Sequence, residues 1–281
     1  MPAFQTVPKS ASADFIGRFR EIVSDPLNLL IERVPLAGTI DGDHVYLHNG
    51  NKVSANGKHR YYDSFSDILV INRGVHEPLE EFVFQEVLKS LGTSPIMVEL
   101  GSYWAHYSMW LKKLRPEADV FMVEPEADNL ATGKYNFSIN GYQGKFFQDM
   151  VGKNHLEIDV FLNTHNLEHI EILHSDIQGY EVEMLDGAHA SLDARRIDYL
   201  FISTHQKLIH ELVVKKITDA GYRVEVSSNW DETTSYDGFV FASSPEQSRL
   251  FENFRPLGRN EINNMMPQAL GDFIQTIGNK C

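Results

Sequence analysis

With 281 residues, 42% hydrophobic and 23% charged, the chain has the composition of a packed globular protein and neither a disordered nor a repetitive one. Its formal net charge of -14, without any Lys/Arg block, excludes the positive footprint that nucleic-acid phosphates or an anionic membrane surface demand. No apolar run approaches the roughly 20 residues that span a bilayer, and the opening "MPAFQTVPKSASADF" lacks the apolar centre of a signal peptide, so a cytoplasmic protein acting on small or uncharged substrates is expected.

Residues 1–95 read as an α+β segment. A helical pattern near Phe15 to Val23 is followed by "HVYLHNGNKV", where the Asn49-Gly50 pair predicts a hairpin. A helix over "EPLEEFVFQEVLKSLG" comes next. Pro78 opens it, Glu80 and Glu81 sit at the positive end of its dipole, and Gly92 is the expected C-terminal cap. This segment is expected to cap the core or to mediate a homodimer. From Ile96 onward, apolar runs such as "IMVEL", "DVFMVE", "EILHSDI" and "IDYLFIS" alternate with helical stretches, the signature of crossover units and a parallel sheet. The last two runs, "YRVEVSS" and "GFVFASS", are separated by a polar loop too short for a parallel crossover, so one final strand must be antiparallel. The expectation is an α/β, Rossmann-like fold over residues 96–244. Its sheet of seven mostly parallel strands, with an antiparallel last strand, is the outline of a class I S-adenosylmethionine methyltransferase. Residues 245–281 form a partly helical tail, and the single cysteine, Cys281, is too terminal for a disulfide frame or a buried catalytic thiol.

The loop after the first of these strands, "VELGSYWAHYS", keeps only Gly101 of the glycines that a dinucleotide's pyrophosphate requires. A ligand without phosphates, S-adenosylmethionine, needs only the strand-to-loop turn and free backbone, which Gly101 and Ser102 supply. Glu124 ends the second strand 23 residues further on (124 - 101). There a carboxylate can accept both hydroxyls of a ribose.

Three blocks, "VELGSYWAHYS", "VEPEADNLATGKYNFSINGY" and "LHSDIQGYEVEMLDGA", resemble the FkbM-type methyltransferases over about residues 75–243, and "VHEPLEEFVF" resembles that family's Glu-Pro entry helix. The resemblance implies S-adenosylmethionine-dependent O-methylation of a small molecule or sugar. Three positions depart from the family pattern: Glu99 for the commoner Asp, Ala105 for the usual second Gly, and Gln178 for the common Glu. Glu99, Gly101, Ser102, Tyr103, Glu124, Pro125, Gln148, Asp149 and Asp176 are the candidate cofactor-binding residues.

Methyl transfer to an aliphatic hydroxyl calls for positioning and for removal of a proton. Asp176 and His205 end neighbouring strands at the carboxyl edge of the sheet, where open α/β folds bind ligands. They are the candidate catalytic pair, as a histidine oriented by a carboxylate or as ligands of a divalent metal such as Mg²⁺, with His174 a third ligand and Glu181 able to join them. Asp176 or His205 could instead cap the following helix, Gly179 would permit close approach of helix and ligand, and Trp104 and Tyr107 could line a substrate wall or face the core. Other readings are a scaffold that keeps the cofactor fold without catalysis, a nicotinamide oxidoreductase, and a zinc hydrolase built on "HNLEH" (His165, Glu168, His169), which spells an inverted zinc-peptidase motif.

Overall fold

The computed structural model describes residues 13–61, 66–235 and 237–278; Cys281 lies outside them. Helix α1 (Ala13–Ser24) precedes a small antiparallel sheet of β1 (Ile40–Asp41), β2 (His44–Tyr46) and β3 (Lys52–Ser54). The turn between β2 and β3 forms at Asn49-Gly50: Gly50 takes φ 86°, and the Asn49 side chain accepts the Asn51 N–H at 3.0 Å. After α2 (Ile68–Ile71), helix α3 (Pro78–Ser90) starts at its proline as expected. Its end differs, because Leu91 leaves the helix in an extended conformation and no left-handed glycine cap forms at Gly92.

The main sheet contains β4 (Ile96–Leu100), β5 (Asp119–Val123), β6 (Lys145–Phe147), β7 (Ile170–Ser175), β8 (Ile197–Thr204), β9 (Arg223–Ser228) and β10 (Gly238–Ser243). Their order is β6-β5-β4-β7-β8-β10-β9. The first five are parallel to one another, and β10 inserts between β8 and β9, antiparallel to both. This is the Rossmann-like class I methyltransferase arrangement. The crossovers are α4 (His106–Leu114), α5 (Ala127–Asn140), α6 (Ile158–Thr164), the pair α7 (Glu181–Asp186) and α8 (His189–Asp193), and α9 (Lys207–Asp219); α10 (Arg259–Asn264) and α11 (Pro267–Gly278) form the tail. The stretch after Tyr180 forms two short helices broken at Gly187, and α6 precedes β7.

Because side chains alternate along a strand, each central strand feeds two cores. Met97, Met122, Ile172 and Phe201 pack on one face with α3, α4 and the N-terminal segment. Val98, Val123, Leu173 and Ile202 pack on the other with α6, α7 and α9. All eight residues of β8 are buried. Among the described residues, no helix is long and apolar enough to cross a membrane.

Candidate active site

The chain winds from β4 out through β5 and β6, then returns to place β7 on the other side of β4. That reversal opens a crevice at the carboxyl ends of β4 and β7, the position where open α/β sheets bind ligands. A cleft of about 540 Å³ lies there, within the usual range for small-molecule sites. The N-terminal segment contributes Arg18, Tyr61, His76 and Glu77 to its wall.

Gly101 turns the chain at the end of β4 with φ 70°, and a Cβ there would lie 1.8 Å from the Asp176 carbonyl oxygen. The glycine is therefore required by the close approach of the two loops that flank the crevice, as well as by the turn. Its N–H and that of Ser102 both reach the Val123 carbonyl, at 2.8 and 3.0 Å. Ser102 Oγ is buried in the wall with no protein partner. Glu124 lines the same end and accepts the Tyr103 N–H on Oε2 and the Glu126 N–H on Oε1, each at 3.0 Å. Burial pushes its pKa up, against those bonds. Asn129 Nδ2 also reaches Oε1, at 3.4 Å, and since an ionised carboxylate offers about four lone pairs, capacity remains for one further hydroxyl.

Glu99 also lines the cleft, but its Oε2 accepts the Ser108 N–H at 3.1 Å and so closes the first turn of α4. Tyr103, Pro125, Asp149 and Asp176 are in the wall. Gln148 is not: its side chain turns away and donates to the Pro125 carbonyl at 3.1 Å, and Met150 and Val151 take the lining position. Trp104 and Tyr107 do both jobs considered for them, being buried in the core while presenting an edge to the cleft. Gly179 has open space around its Cβ position; its φ of 108°, and not close approach, calls for glycine.

At the other end, His205 sits among three carboxylates. Its Nδ1 is hydrogen-bonded to Glu181 Oε1 at 2.6 Å, and its Nε2 lies 3.0 Å from Asp176 Oδ1 and 3.7 Å from Asp237 Oδ1. Burial opposes the charged ring but is outweighed by Asp176, Glu181 and Asp237, so the pKa of His205 is pushed up to about 10. The ring is an imidazolium at neutral pH. Asp237 moves the other way for a carboxylate: burial, reinforced by the Asp176 charge, raises it to about 7. Neither Asp176 nor His205 caps a helix, since α7 begins at Glu181 and α9 is preceded by Gln206.

His174 does not join this group as a ligand. It lines the cleft, yet its Nε2 is bound to Glu80 Oε1 at 2.5 Å, a buried pair in which Glu80 also accepts from Ser203 at 2.8 Å. The zinc-hydrolase reading fails on geometry. Helix α6 stops at Thr164, His165 packs among Phe121, Phe147 and Phe161, and His169 pairs with Asp198 at 3.1 Å, so "HNLEH" never forms the helical face its chemistry needs.

Residues 151–224 match the family model described as the Methyltransferase FkbM domain. That span contains the third sequence block, with Asp176, Glu181 and His205, and excludes the loops of Gly101 and Glu124. No curated protein matches the chain. Among solved structures, a precorrin-6y C5,15-methyltransferase from Geobacter metallireducens is 15% identical with a TM-score of 0.43, covering 58% of this chain and 87% of its own. TrmK of M. capricolum, solved with S-adenosylhomocysteine, is 14% identical with a TM-score of 0.43, covering 71% and 94%. An S-adenosylmethionine-dependent methyltransferase from Aquifex aeolicus is 15% identical with a TM-score of 0.36, covering 57% and 88%. The fold assignment rests on the strand order.

Proposed function

We propose that the chain is an S-adenosylmethionine-dependent methyltransferase acting on a hydroxyl of a small, uncharged molecule such as a sugar or natural product. The observation that carries this reading is the sharing of one cleft by two unlike groups: the Gly101–Glu124 loops at the ends of β4 and β5, and the Asp176–His205–Asp237 constellation at β7, β8 and β10.

The first group fits S-adenosylmethionine. Glu124 keeps acceptor capacity for a ribose hydroxyl, Ser102 Oγ is an unpartnered donor, and Gly101 keeps the backbone low at the crevice floor. Asp149 and Pro125 lie in the wall beyond Glu124. Nothing in this loop gathers the amides that a pyrophosphate needs. The acidic lining, which includes Glu77, Glu99, Asp149, Asp176 and Asp237, suits a cationic sulfonium and disfavours a phosphorylated acceptor.

When bound, S-adenosylmethionine supplies an electrophilic methyl group on a sulfonium that leaves as a neutral thioether. The protein then has to align the acceptor oxygen and take its proton. His205, already protonated and pinned by Glu181, is not the base. It holds the Asp176 and Asp237 carboxylates around the acceptor end of the cleft. Asp176 accepts a hydrogen bond from the acceptor and orients it. Asp237, near 7, accepts the hydroxyl proton as the oxygen attacks the methyl carbon, because a base works best close to the operating pH.

The test is transfer of label from methyl-tritiated S-adenosylmethionine to a panel of neutral polyhydroxylated acceptors, compared with their amine and phosphate analogues. Label in an ether of a neutral acceptor supports the reading. Label confined to amines or phosphorylated compounds, or none from any acceptor, overturns the O-methyl assignment.

A further inference from the structure

On the N-terminal wall of the cleft lies a second cluster that the proposed transfer does not use. His48, Glu81 and His106 are buried, with one ligand atom from each within 4.8 Å of the others. Five of their polar atoms have no hydrogen-bond partner: both ring nitrogens of His48, both of His106, and Oε2 of Glu81. Leaving that many buried polar groups unsatisfied costs about 1–3 kcal/mol each, which a natural core avoids unless something supplies the missing partner.

The spacing says what is missing. His48 Nε2 is 3.4 Å from Glu81 Oε2, and His106 Nε2 is 3.5 Å from Glu81 Oε1. Both separations exceed the 2.7–3.2 Å typical of a hydrogen bond. Each imidazole thus faces its own oxygen of the one carboxylate, at a separation close to the roughly 3.3 Å between two donors held tetrahedrally at about 2.0–2.1 Å from one ion. We infer that His48, Glu81 and His106 form a buried site for a divalent transition ion of the zinc class.

The surroundings are built to hold such a site. His76 orients the carboxylate through its backbone N–H, 3.0 Å from Glu81 Oε1; its ring stands between the two acids, with Nδ1 2.5 Å from Glu81 Oε1 and Nε2 3.3 Å from Glu77. That is the outer partner a ligating carboxylate requires. Trp104 stacks on His106 with ring planes 16° apart, and Trp110 meets His48 edge-on with centroids 4.2 Å apart, so both imidazoles are fixed in an apolar box. The nearby Arg33 guanidinium is tied to the carbonyls of Asn28 and Ile31.

His106 and His76 line the cleft, which gives an ion a way in. Two imidazoles and one carboxylate are a borderline donor set that suits zinc better than the hard ions of oxygen cages. Bound there, the ion would join the segment after β2, helix α3 and the first turn of α4. It would therefore clamp the N-terminal segment onto the loop that carries Gly101 and Ser102.

The test uses the full, untagged chain, stripped with a chelator and reloaded with Zn²⁺ or, as a spectroscopic probe, Co²⁺. One tight equivalent is expected. X-ray absorption of the zinc-loaded protein should show two imidazoles in the coordination shell, and the unfolding midpoint should rise by about 5–10 °C at metal concentrations near 100 times Kd. The imidazole count separates this site from the His205 group and from the trio His169, Glu171 and Asp198, each of which has one histidine. His106→Gln should abolish the tight equivalent and His169→Gln should leave it. If His106→Gln fails to fold, the wild-type coordination shell still decides. One imidazole or none, or no tight binding, overturns the inference.

Discussion

Glu181 and His205 are joined by a 2.6 Å hydrogen bond between Oε1 and Nδ1, which turns the other ring nitrogen toward Asp176. Glu181 is completely buried and opens helix α7, while His205 lies just beyond β8, so the bond ties two loops of the cleft together. A histidine whose pKa rises to about 10 on folding contributes stability in full below its ordinary value near 6.5 and loses it as pH climbs through about 10.

Glu181→Gln removes that ionic partner. Near neutrality it should cost about 1.5–3 kcal/mol, the usual worth of a hydrogen bond to a charged group. Measured by thermal unfolding across pH, the gap from wild type should be widest below 6.5 and close as pH passes 10. A gap that ignores pH would show that the imidazolium is not what Glu181 stabilises.

Asp237 has to be ionised to take a proton, so the rate of transfer should rise with pH through about 7. Asp237→Asn should lower the rate about 10²- to 10⁴-fold and erase that limb. Asp176→Ala should abolish transfer while leaving the affinity for S-adenosylhomocysteine within a few fold. Loss of cofactor binding in either variant would assign it a structural role instead.

Gly101→Ala places a methyl group against the Asp176 carbonyl, which belongs to the backbone and cannot swing aside. The β4 and β7 loops must part. We expect a loss of about 3 kcal/mol or more in stability and loss of detectable S-adenosylhomocysteine binding, read by unfolding and calorimetry. A variant of wild-type stability and affinity would mean that the crevice floor is softer than its geometry implies.

These residues were unequally legible in the sequence. The alternation of apolar runs and helices located the strands, and the rule that ligands gather at strand carboxyl ends drew Gly101, Glu124, Asp176 and His205 to one edge. Asp237 gave no such signal. It sits in a short polar loop, and only the insertion of β10 beside β8 carries it to His205. The partner of His174 was equally hidden, because Glu80 looked like an ordinary first-turn acid of α3 and is in fact buried against β7 and β8. His48 and His106 stand 58 positions apart (106 - 48), with His76 between them and no metal-ligand spacing, so no local pattern could collect them. The opposite error arose at "HNLEH", a correct spelling in a segment that is not helical.

Asp25 offers a test of stability away from the cleft. It accepts the Leu27 N–H at 2.9 Å and the Thr234 hydroxyl at 2.8 Å, joining the end of α1 to the β9–β10 loop, and burial raises it to about 6. A raised carboxyl group contributes stability below its unfolded value near 3.8 and loses it as pH climbs through about 6. Asp25→Asn keeps both partners without the buried charge. It should raise the free energy of unfolding at pH 7.5, by up to about 3 kcal/mol, and change little at pH 4. A destabilised variant at the higher pH would show that the charge is wanted.

Calorimetric titration of the full chain with S-adenosylhomocysteine and S-adenosylmethionine, with NAD in parallel and Glu124→Gln as the comparison, bears most directly on the function. Micromolar binding of both adenosyl compounds, none of NAD, and about a 10- to 100-fold weakening in Glu124→Gln are expected. No binding of either adenosyl compound by the wild-type protein, or tighter binding of NAD, would contradict a methyltransferase.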